Sequence, residues 1–421
     1  MRKKSLLPMV AFMTLIILGV KLVLGFFSED SFLAKENIGW WEIQSIDTVK
    51  YSRDLAREKQ EDISFDEIME DQVINIALTG ATHVALGTPY DEEFIPFLVR
   101  WVSVARKHDL KVWFRGNFSG WEGWFGYKRI NRQQHLSLLE KFILANGGLF
   151  EDGDIFSACT ECENGGPGDP RRTGDVKGHR EFLINEYKVT SDAFRKIGKN
   201  VRSNFFPMNG DVARLIMDKA TTQKLGGIVT IDHYVATPEI LLKDIAEIAD
   251  TSGGKVFLGE FGAPIPDIHG RMSETEQSQW IRSALGKLSK VPELVGLNYW
   301  VSYGGSTKLW EDNNEPRMAV FAIVNYFKPK LLTGKVTNEI GRPIAGAKVI
   351  LEPKSFVTQK GGDFVATYVL EDEVLTVLAD SYQSVRIENL PDDKNVEVVL
   401  VKKSETIFFK VYKFFYKAIS K

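Results

Sequence analysis

From about residue 37 to residue 327, short runs of apolar, β-favouring residues alternate with longer stretches whose apolar positions recur at helical spacing. That alternation predicts a parallel sheet wrapped by helices. Eight candidate strands can be placed, at residues 38–43, 83–87, 111–115, 155–159, 201–206, 227–232, 256–259 and 294–300. Eight such units in this span are the size of an α/β (β/α)8 barrel, also called a TIM barrel. The intervening helices carry their own punctuation. Phe94, Ile95, Leu98, Val102 and Ala105 follow a 3.6-residue period after Asp91, and Ser273 with Glu276 makes a capping box ahead of Trp280, Ile281 and Leu285. Thr237-Pro238-Glu239 reads as an N-cap followed by a proline in the first turn. These positions build core and helix ends, and no chemistry is assigned to them.

The pattern changes on both sides of this region. Residues 331–403 show short alternating runs broken by Gly and Pro, with no helical period, which predicts a small all-β sandwich. Residues 404–421 place Lys410, Lys413, Lys417 and Lys421 on one helical face and Phe408, Val411, Phe415 and Ile419 on another. Such a basic amphipathic tail suits a membrane surface, and equally a tail packed on its own domain with solvated lysines. At the other end, Arg2, Lys3 and Lys4 precede an apolar stretch over residues 6–27 interrupted only by Lys21. Residues 1–29 are therefore expected to form a transmembrane signal anchor that leaves residues 30–330, the barrel, extracytoplasmic. A signal peptide cleaved near Val23-Leu24-Gly25 is the alternative, and it would leave the protein secreted.

Composition narrows the function. With 421 residues, 44% of them hydrophobic, and a net charge of -3, the chain has no basic excess of the kind a phosphate backbone requires. Nucleic acid is not an expected partner. The only cysteines, Cys159 and Cys162, form a single Cys-x-x-Cys pair. A zinc site needs four ligands and no second pair exists, so metal is not expected; free thiols and one local disulfide both remain open.

Two glutamates stand at the mouths of apolar runs. Glu161 lies in Asp154-Ile-Phe-Ser-Ala-Cys-Thr-Glu-Cys-Glu-Asn-Gly-Gly, and Glu260 in Lys255-Val-Phe-Leu-Gly-Glu-Phe-Gly-Ala-Pro. A parallel barrel gathers the C-terminal ends of its strands around one mouth, so carboxylates after strands 4 and 7 would face each other there. One carboxylic acid and one carboxylate about 5 Å apart are what cleavage of a glycosidic bond with retention needs. Trp300, at the end of strand 8, offers an indole face to a sugar ring, and Tyr234 can donate to Glu260. Arg115 and Asn117, two residues apart after strand 3, are expected to point the same way and anchor hydroxyls or the nucleophile. Trp41, Tyr90, Trp121 and Trp124 are candidate platforms for further sugar units. Of Asp232 and His233, alternation turns one inward and one outward without saying which. Glu163 is a second candidate for the proton donor.

At these residues the chain resembles a known family. Leu258-Gly-Glu-Phe-Gly is similar to the strand-7 nucleophile motif of clan A glycoside hydrolases, the superfamily of the family 5 cellulases and mannanases, and Trp300 and Tyr234 resemble that clan's strand-8 tryptophan and strand-6 tyrosine. The likeness spans about residues 37–327. It implies a retaining β-glycoside hydrolase working on a poly- or oligosaccharide by double displacement, with Glu161 as acid/base, Glu260 as nucleophile and a carbohydrate as the partner. Two carboxyl groups suffice for that chemistry, so no metal or organic cofactor is expected. The chain departs from the clan at Thr160, where an asparagine usually precedes the acid/base glutamate, which keeps Glu163, beside Asn164, in play as donor. The turn Gly341-Arg-Pro-Ile-Ala-Gly-Ala resembles that of carboxypeptidase regulatory-like or transthyretin-like sandwiches. Two other functions use the same surface: a non-catalytic, membrane-tethered glycan-binding barrel, and a transglycosylase.

Overall fold

A computed structural model describes residues 39–369, 374–388, 390 and 395–403. The expected anchor over residues 1–29 and the basic tail over residues 404–421 lie outside these residues. Among the described residues, no helix is long and apolar enough to cross a membrane.

Eight parallel strands form one sheet: β1 (Ile43–Asp47), β2 (His83–Leu86), β3 (Lys111–Phe114), β4 (Ile155–Phe156), β5 (Met208–Asn209), β6 (Ile228–Asp232), β7 (Lys255–Phe261) and β8 (Leu294–Tyr299). Their order is β4-β3-β2-β1-β8-β7-β6-β5. Arg202 closes the ring against β4: its N–H donates to the Asp154 carbonyl at 2.9 Å, and Phe156 N–H donates to the Arg202 carbonyl at 2.9 Å. Each strand is followed by helix: α1 (Phe65–Leu78), α2 (Ile95–Lys107), α3 (Arg132–Ala145), α4 (Val176–Lys196), α5 (Gly210–Ile216), α6 (Pro238–Ser252), α7 (Glu274–Leu288) and α8 (Met318–Phe327). The local signals work as their chemistry requires. In α2, Phe97, Leu98, Trp101, Val102 and Ala105 form the buried stripe. Ser273 and Glu276 form a reciprocal capping box on α7, and the Thr237 hydroxyl accepts from Ile240 N–H at the start of α6.

Two strand positions differ from the sequence expectation. Strand 1 runs from Ile43 to Asp47 rather than over residues 38–43. The tryptophans that made the earlier run look like a strand instead seal the end of the barrel away from the mouth: Trp41 packs edge-on against Phe327 of α8, and the Trp40 indole donates to the Ser289 carbonyl after α7. Trp41 therefore offers no sugar platform. Strand 5 is displaced to Met208–Asn209, and residues 201–206 contribute the closing bridge and a core residue instead. That residue, Phe205, meets Trp113 and Phe257 edge to face inside the barrel, with Ile43, Ala85, Ile155 and Ile228 completing the layer. Trp113 is the floor on which the mouth is built.

After α8 the chain enters a three-stranded sheet, β12-β9-β15, and a four-stranded sheet, β11-β10-β13-β14. The strands are β9 (Lys330–Asn338), β10 (Lys348–Leu351), β11 (Lys354–Val357), β12 (Asp363–Tyr368), β13 (Leu375–Leu378), β14 (Val385–Ile387) and β15 (Asn395–Leu400). Alternate residues such as Leu332, Val336, Val349, Leu351, Phe364 and Val398 bury a second hydrophobic core.

The barrel seam depends on Asp154, which is fully buried. Its carboxylate accepts from Val112 N–H (2.9 Å), Glu151 N–H (2.8 Å) and the Arg106 guanidinium (2.5 Å) while its carbonyl holds Arg202. Replacing it by alanine takes the buried carboxylate from the Arg106 guanidinium, which keeps the Leu110 and Leu149 carbonyls and Glu151, and leaves two backbone donors without their acceptor. Asp154→Ala is expected to lower the unfolding free energy by about 3 kcal/mol in a urea titration; a loss below about 1 kcal/mol would show that the seam does not rest on this carboxylate.

Candidate active site

The mouth is organised by one buried cation. Arg115 follows β3 directly, its backbone N–H continuing the ladder to Leu86 O at 2.8 Å. Its guanidinium lies over the Trp113 ring and donates to three carboxylates from three other strands. Asp47 at the end of β1 accepts at 3.0 Å, Asp232 at the end of β6 at 2.5 Å, and Glu260 near the end of β7 through Oε1. Arg115, Asp47 and Asp232 side chains are at most 3% exposed, while Glu260 retains 15% toward the mouth. Burial alone would push the guanidinium's pKa down; Asp232, Glu260 and Asp47 overturn that and hold it well above its ordinary value. Burial raises the pKa of Asp232 and Asp47 against the pull of Arg115. Asp47 is further fixed by Val49 N–H at 2.6 Å and by the Asn298 amide of β8 at 3.2 Å. Gly259 is required beside this cluster, because a Cβ there would meet Asp232 Oδ1 at 2.5 Å.

Glu260 has a second donor. The Tyr234 hydroxyl, just beyond β6, donates to its Oε2 at 2.7 Å. Burial and then the Glu260 charge keep the phenol's pKa well above its ordinary value, so Tyr234 remains a donor. The Tyr234 ring meets the half-buried Trp300 indole edge-on at 6.0 Å, and the Lys50 ammonium stands 5.7 Å from that indole.

Glu161 arrives on a tight turn rather than a strand end. Beyond β4 the chain is closed into a small ring by a Cys159–Cys162 disulfide, so of the two states left open for these thiols the structure has the local bridge. Inside the ring Glu161 adopts a left-handed conformation, φ 45° and ψ 54°. For a residue with a Cβ this costs about 1 kcal/mol. Surrounding bonds hold it there: Glu161 N–H donates to Pro207 O (2.8 Å), Asn164 N–H to Glu161 O (2.8 Å), and the Asn164 amide to Glu161 Oε2 (3.1 Å). Burial raises the Glu161 pKa and the Glu260 charge raises it further, so the two carboxyl groups sense each other across the mouth.

Glu163 is buried in the wall, where its Oε1 accepts from Asn209 N–H at 2.8 Å and burial lifts its pKa to about 7. Glu161 is the more exposed of the two, which favours it over Glu163 as the group facing substrate. Glu122 was not singled out from the sequence. It sits between Trp121 and Trp124 in the loop after β3, accepts from Asn117 at 2.7 Å, and has its pKa pushed to about 8 by burial and by Glu161. A carboxylate flanked by tryptophans in a loop after a strand was the available signal. Asp47 was hidden by the misplaced first strand, and Asn298 by its place inside β8.

Other expected contacts are redistributed. Asp232 points inward to Arg115; His233 points outward, its Nε2 2.8 Å from Asp244 of α6. Asn117 does not join Arg115 in the mouth. It is fully buried in the wall, where its Oδ1 pairs with His135 Nε2 at 2.9 Å and its amide supports Glu122. Tyr90 is core: its hydroxyl donates to Phe114 O and Ser157 O, and its ring stacks on Phe142 and Phe156. It borders a separate cavity of about 730 Å³ between α2 and α3. Trp121 is 1% exposed, donating to Cys162 O and packing on Phe182, so it braces the Glu161 loop from behind. Gly166, at φ 55°, lies so close over that indole that a Cβ would approach it to 2.1 Å. Among the described residues, one group of metal-ligand atoms lies within 4.8 Å, from His135, Cys159 and Glu186. The Cys159 sulfur is bonded to Cys162, so the group offers no thiolate.

No protein-family model matches this chain, and no curated protein matches it. Solved structures do match. GH5_18 from Streptomyces cattleya, in complex with GlcNAc, aligns with a TM-score of 0.51 at 13% identity over 70% of this chain and 83% of that one. A GH5_18 variant from Bifidobacterium longum subsp. longum, in complex with Manβ1-4GlcNAc, aligns with a TM-score of 0.51 at 12% identity over 73% and 86%. Identities this low speak for the fold: the chain is a TIM-like α/β barrel of the architecture those proteins share.

The raised carboxyl of Glu122 makes a pH-dependent cost. Its pKa is about 8 in the fold against an ordinary 4.5, so between those values the folded chain holds a proton that the unfolded chain has lost, and stability falls as pH rises through that window. Glu122→Gln removes this group's share of the cost while keeping an acceptor for Asn117. The variant should gain melting temperature over the parent as pH rises from about 5 to about 8, by on the order of 5 °C at the top, with little gain at low pH. A difference independent of pH would contradict the assignment.

Proposed function

We propose that this protein is a retaining β-glycoside hydrolase acting on a poly- or oligosaccharide by double displacement. The observation that carries this reading is the pair of unlike carboxyl environments at one mouth: Glu260, held as an acceptor by Arg115 and Tyr234, and Glu161, whose pKa is raised by burial and by the Glu260 charge. In the first step Glu161 gives its proton to the glycosidic oxygen while Glu260 attacks the anomeric carbon, forming a glycosyl ester and releasing the leaving alcohol. In the second, Glu161, now the base, takes a proton from water, and that water displaces Glu260 from the anomeric carbon. Tyr234 and Arg115 keep the Glu260 oxygens fixed throughout, and Trp300 gives the sugar's C–H face a flat apolar wall. The shared barrel with proteins crystallised with GlcNAc and Manβ1-4GlcNAc supports a carbohydrate partner.

Residues 1–29 would tether the enzyme with the barrel extracytoplasmic, and the basic tail would add contact with the membrane surface. Extraction of the full chain from membranes only by detergent is the expected behaviour; recovery in the soluble fraction would remove the tether from the proposal.

The residue roles are tested together. Glu260→Ala should bring hydrolysis of β-glycosides to the assay background, and a fluorinated, activated β-glycoside should label the parent protein on Glu260. Glu161→Ala should lose about 10²- to 10⁴-fold on substrates with poor leaving groups and far less on dinitrophenyl glycosides, which leave without a proton. Tight glycan binding with no labelling and no turnover across a broad panel would instead identify a binding barrel. Oligosaccharide products longer than the substrate would identify a transglycosylase.

A further inference from the structure

The Cys159–Cys162 disulfide brackets the proton donor, and the structure contains a second partner for one of its sulfurs. Cys159 is fully buried and Cys162 is 3% exposed. Behind them lies Glu186 of α4, also fully buried. Its Oε1 is 2.8 Å from His135 Nδ1 without the alignment of a hydrogen bond. Its Oε2 faces Cys162 Sγ at 3.7 Å, and a disulfide sulfur has no proton to give. A buried carboxyl group aimed at a sulfur it cannot use is a costly arrangement in one redox state and a satisfied one in the other.

We infer that the Cys159–Cys162 disulfide positions Glu161, and that its reduction to a dithiol is a switch that withdraws the proton donor from the mouth; this rests on the proposed role of Glu161. A dithiol reductant supplies two electrons and two protons: the Sγ–Sγ bond breaks, two thiols form, and the reductant closes to its own disulfide. Cys162 then carries a proton that Glu186 Oε2 can accept. That new bond draws Cys162 toward α4, and with the ring open Glu161 is free to leave its left-handed conformation for an ordinary one. The oxidised state is favoured by the covalent bond and the reduced state by the Glu186 contact and the released backbone strain, so each has a distinct set of partners. Deep burial makes the exchange depend on local opening of the loop, which sets its rate and not its direction.

The full chain is compared oxidised, and after complete reduction verified by counting alkylated thiols under denaturing conditions. The substrates are β-glycosides of graded leaving-group ability, and Glu161 is followed by carboxyl ¹³C NMR, assigned with Glu161→Gln. Reduction is expected to cost about 10²-fold or more on poor leaving groups and under about tenfold on dinitrophenyl glycosides, reversibly on reoxidation. A Cys159→Ser/Cys162→Ser protein should show the reduced pattern and ignore reductant. Equal rates in both redox states, or a uniform loss on all substrates with a collapse in melting temperature, would overturn the inference. If the oxidised chain hydrolyses nothing, the proposed function fails and the NMR decides the switch alone: a moved Glu161 titration on reduction supports it, and an unchanged one refutes it.

Discussion

The wall of the mouth that carries Glu260 is arranged around the burial of one guanidinium. Arg115 is nearly removed from water and bonded to carboxylates from β1, β6 and β7, of which only β6 and β7 are neighbours in the sheet. Removing any one partner leaves the others out of balance, because charge in a low-dielectric interior cannot be left uncompensated. The cluster therefore fixes the relative height of three strand ends and brings Glu260 to the one position where it still reaches solvent. Trp113 beneath it and Asn298 beside it extend the constraint into the barrel core and to β8.

The opposite wall uses another strategy. Glu161 accepts no hydrogen bond from a cationic side chain; it is held by a covalent ring, a left-handed backbone and the amide of Asn164. Near it, Glu122 and Glu163 also have raised pKa values, to about 8 and about 7. One side of the mouth thus supplies a carboxylate fixed by donors and the other a set of carboxyl groups that resist ionisation. That division is the physical basis for separating attack from proton donation in the proposed reaction.

Much of this was legible in the sequence, and the failures have physical causes. The alternation of runs gave the barrel because strand and helix periods differ sharply, and Glu260 with Tyr234 emerged because a strand and its following turn hold their own local register. Strand 1 was misplaced because Trp40 and Trp41 look as apolar as a strand while closing the barrel's far end. That error put Trp41 in the mouth and hid Asp47. Strand 5 was misplaced because its core residue, Phe205, lies in an irregular segment. In sequence Tyr90, Asn117 and Trp121 look like substrate-facing residues, because an aromatic or amide near a strand end carries no mark of its direction; only packing against Phe142, His135 and Phe182 turns them into the wall. Composition and spacing also cannot show that His135 and Glu186, far apart in the chain, meet behind the two cysteines.

The central claim is that Glu260 attacks the sugar itself while Glu161 moves the proton, which fixes the stereochemistry of the product. The most direct measurement is ¹H NMR of the first-formed product, recorded faster than mutarotation, from a β-linked substrate that the protein cleaves. The account predicts that the β-anomer appears first and the α-anomer grows only as the product equilibrates. Initial appearance of the α-anomer would mean that water attacks directly, and would contradict it.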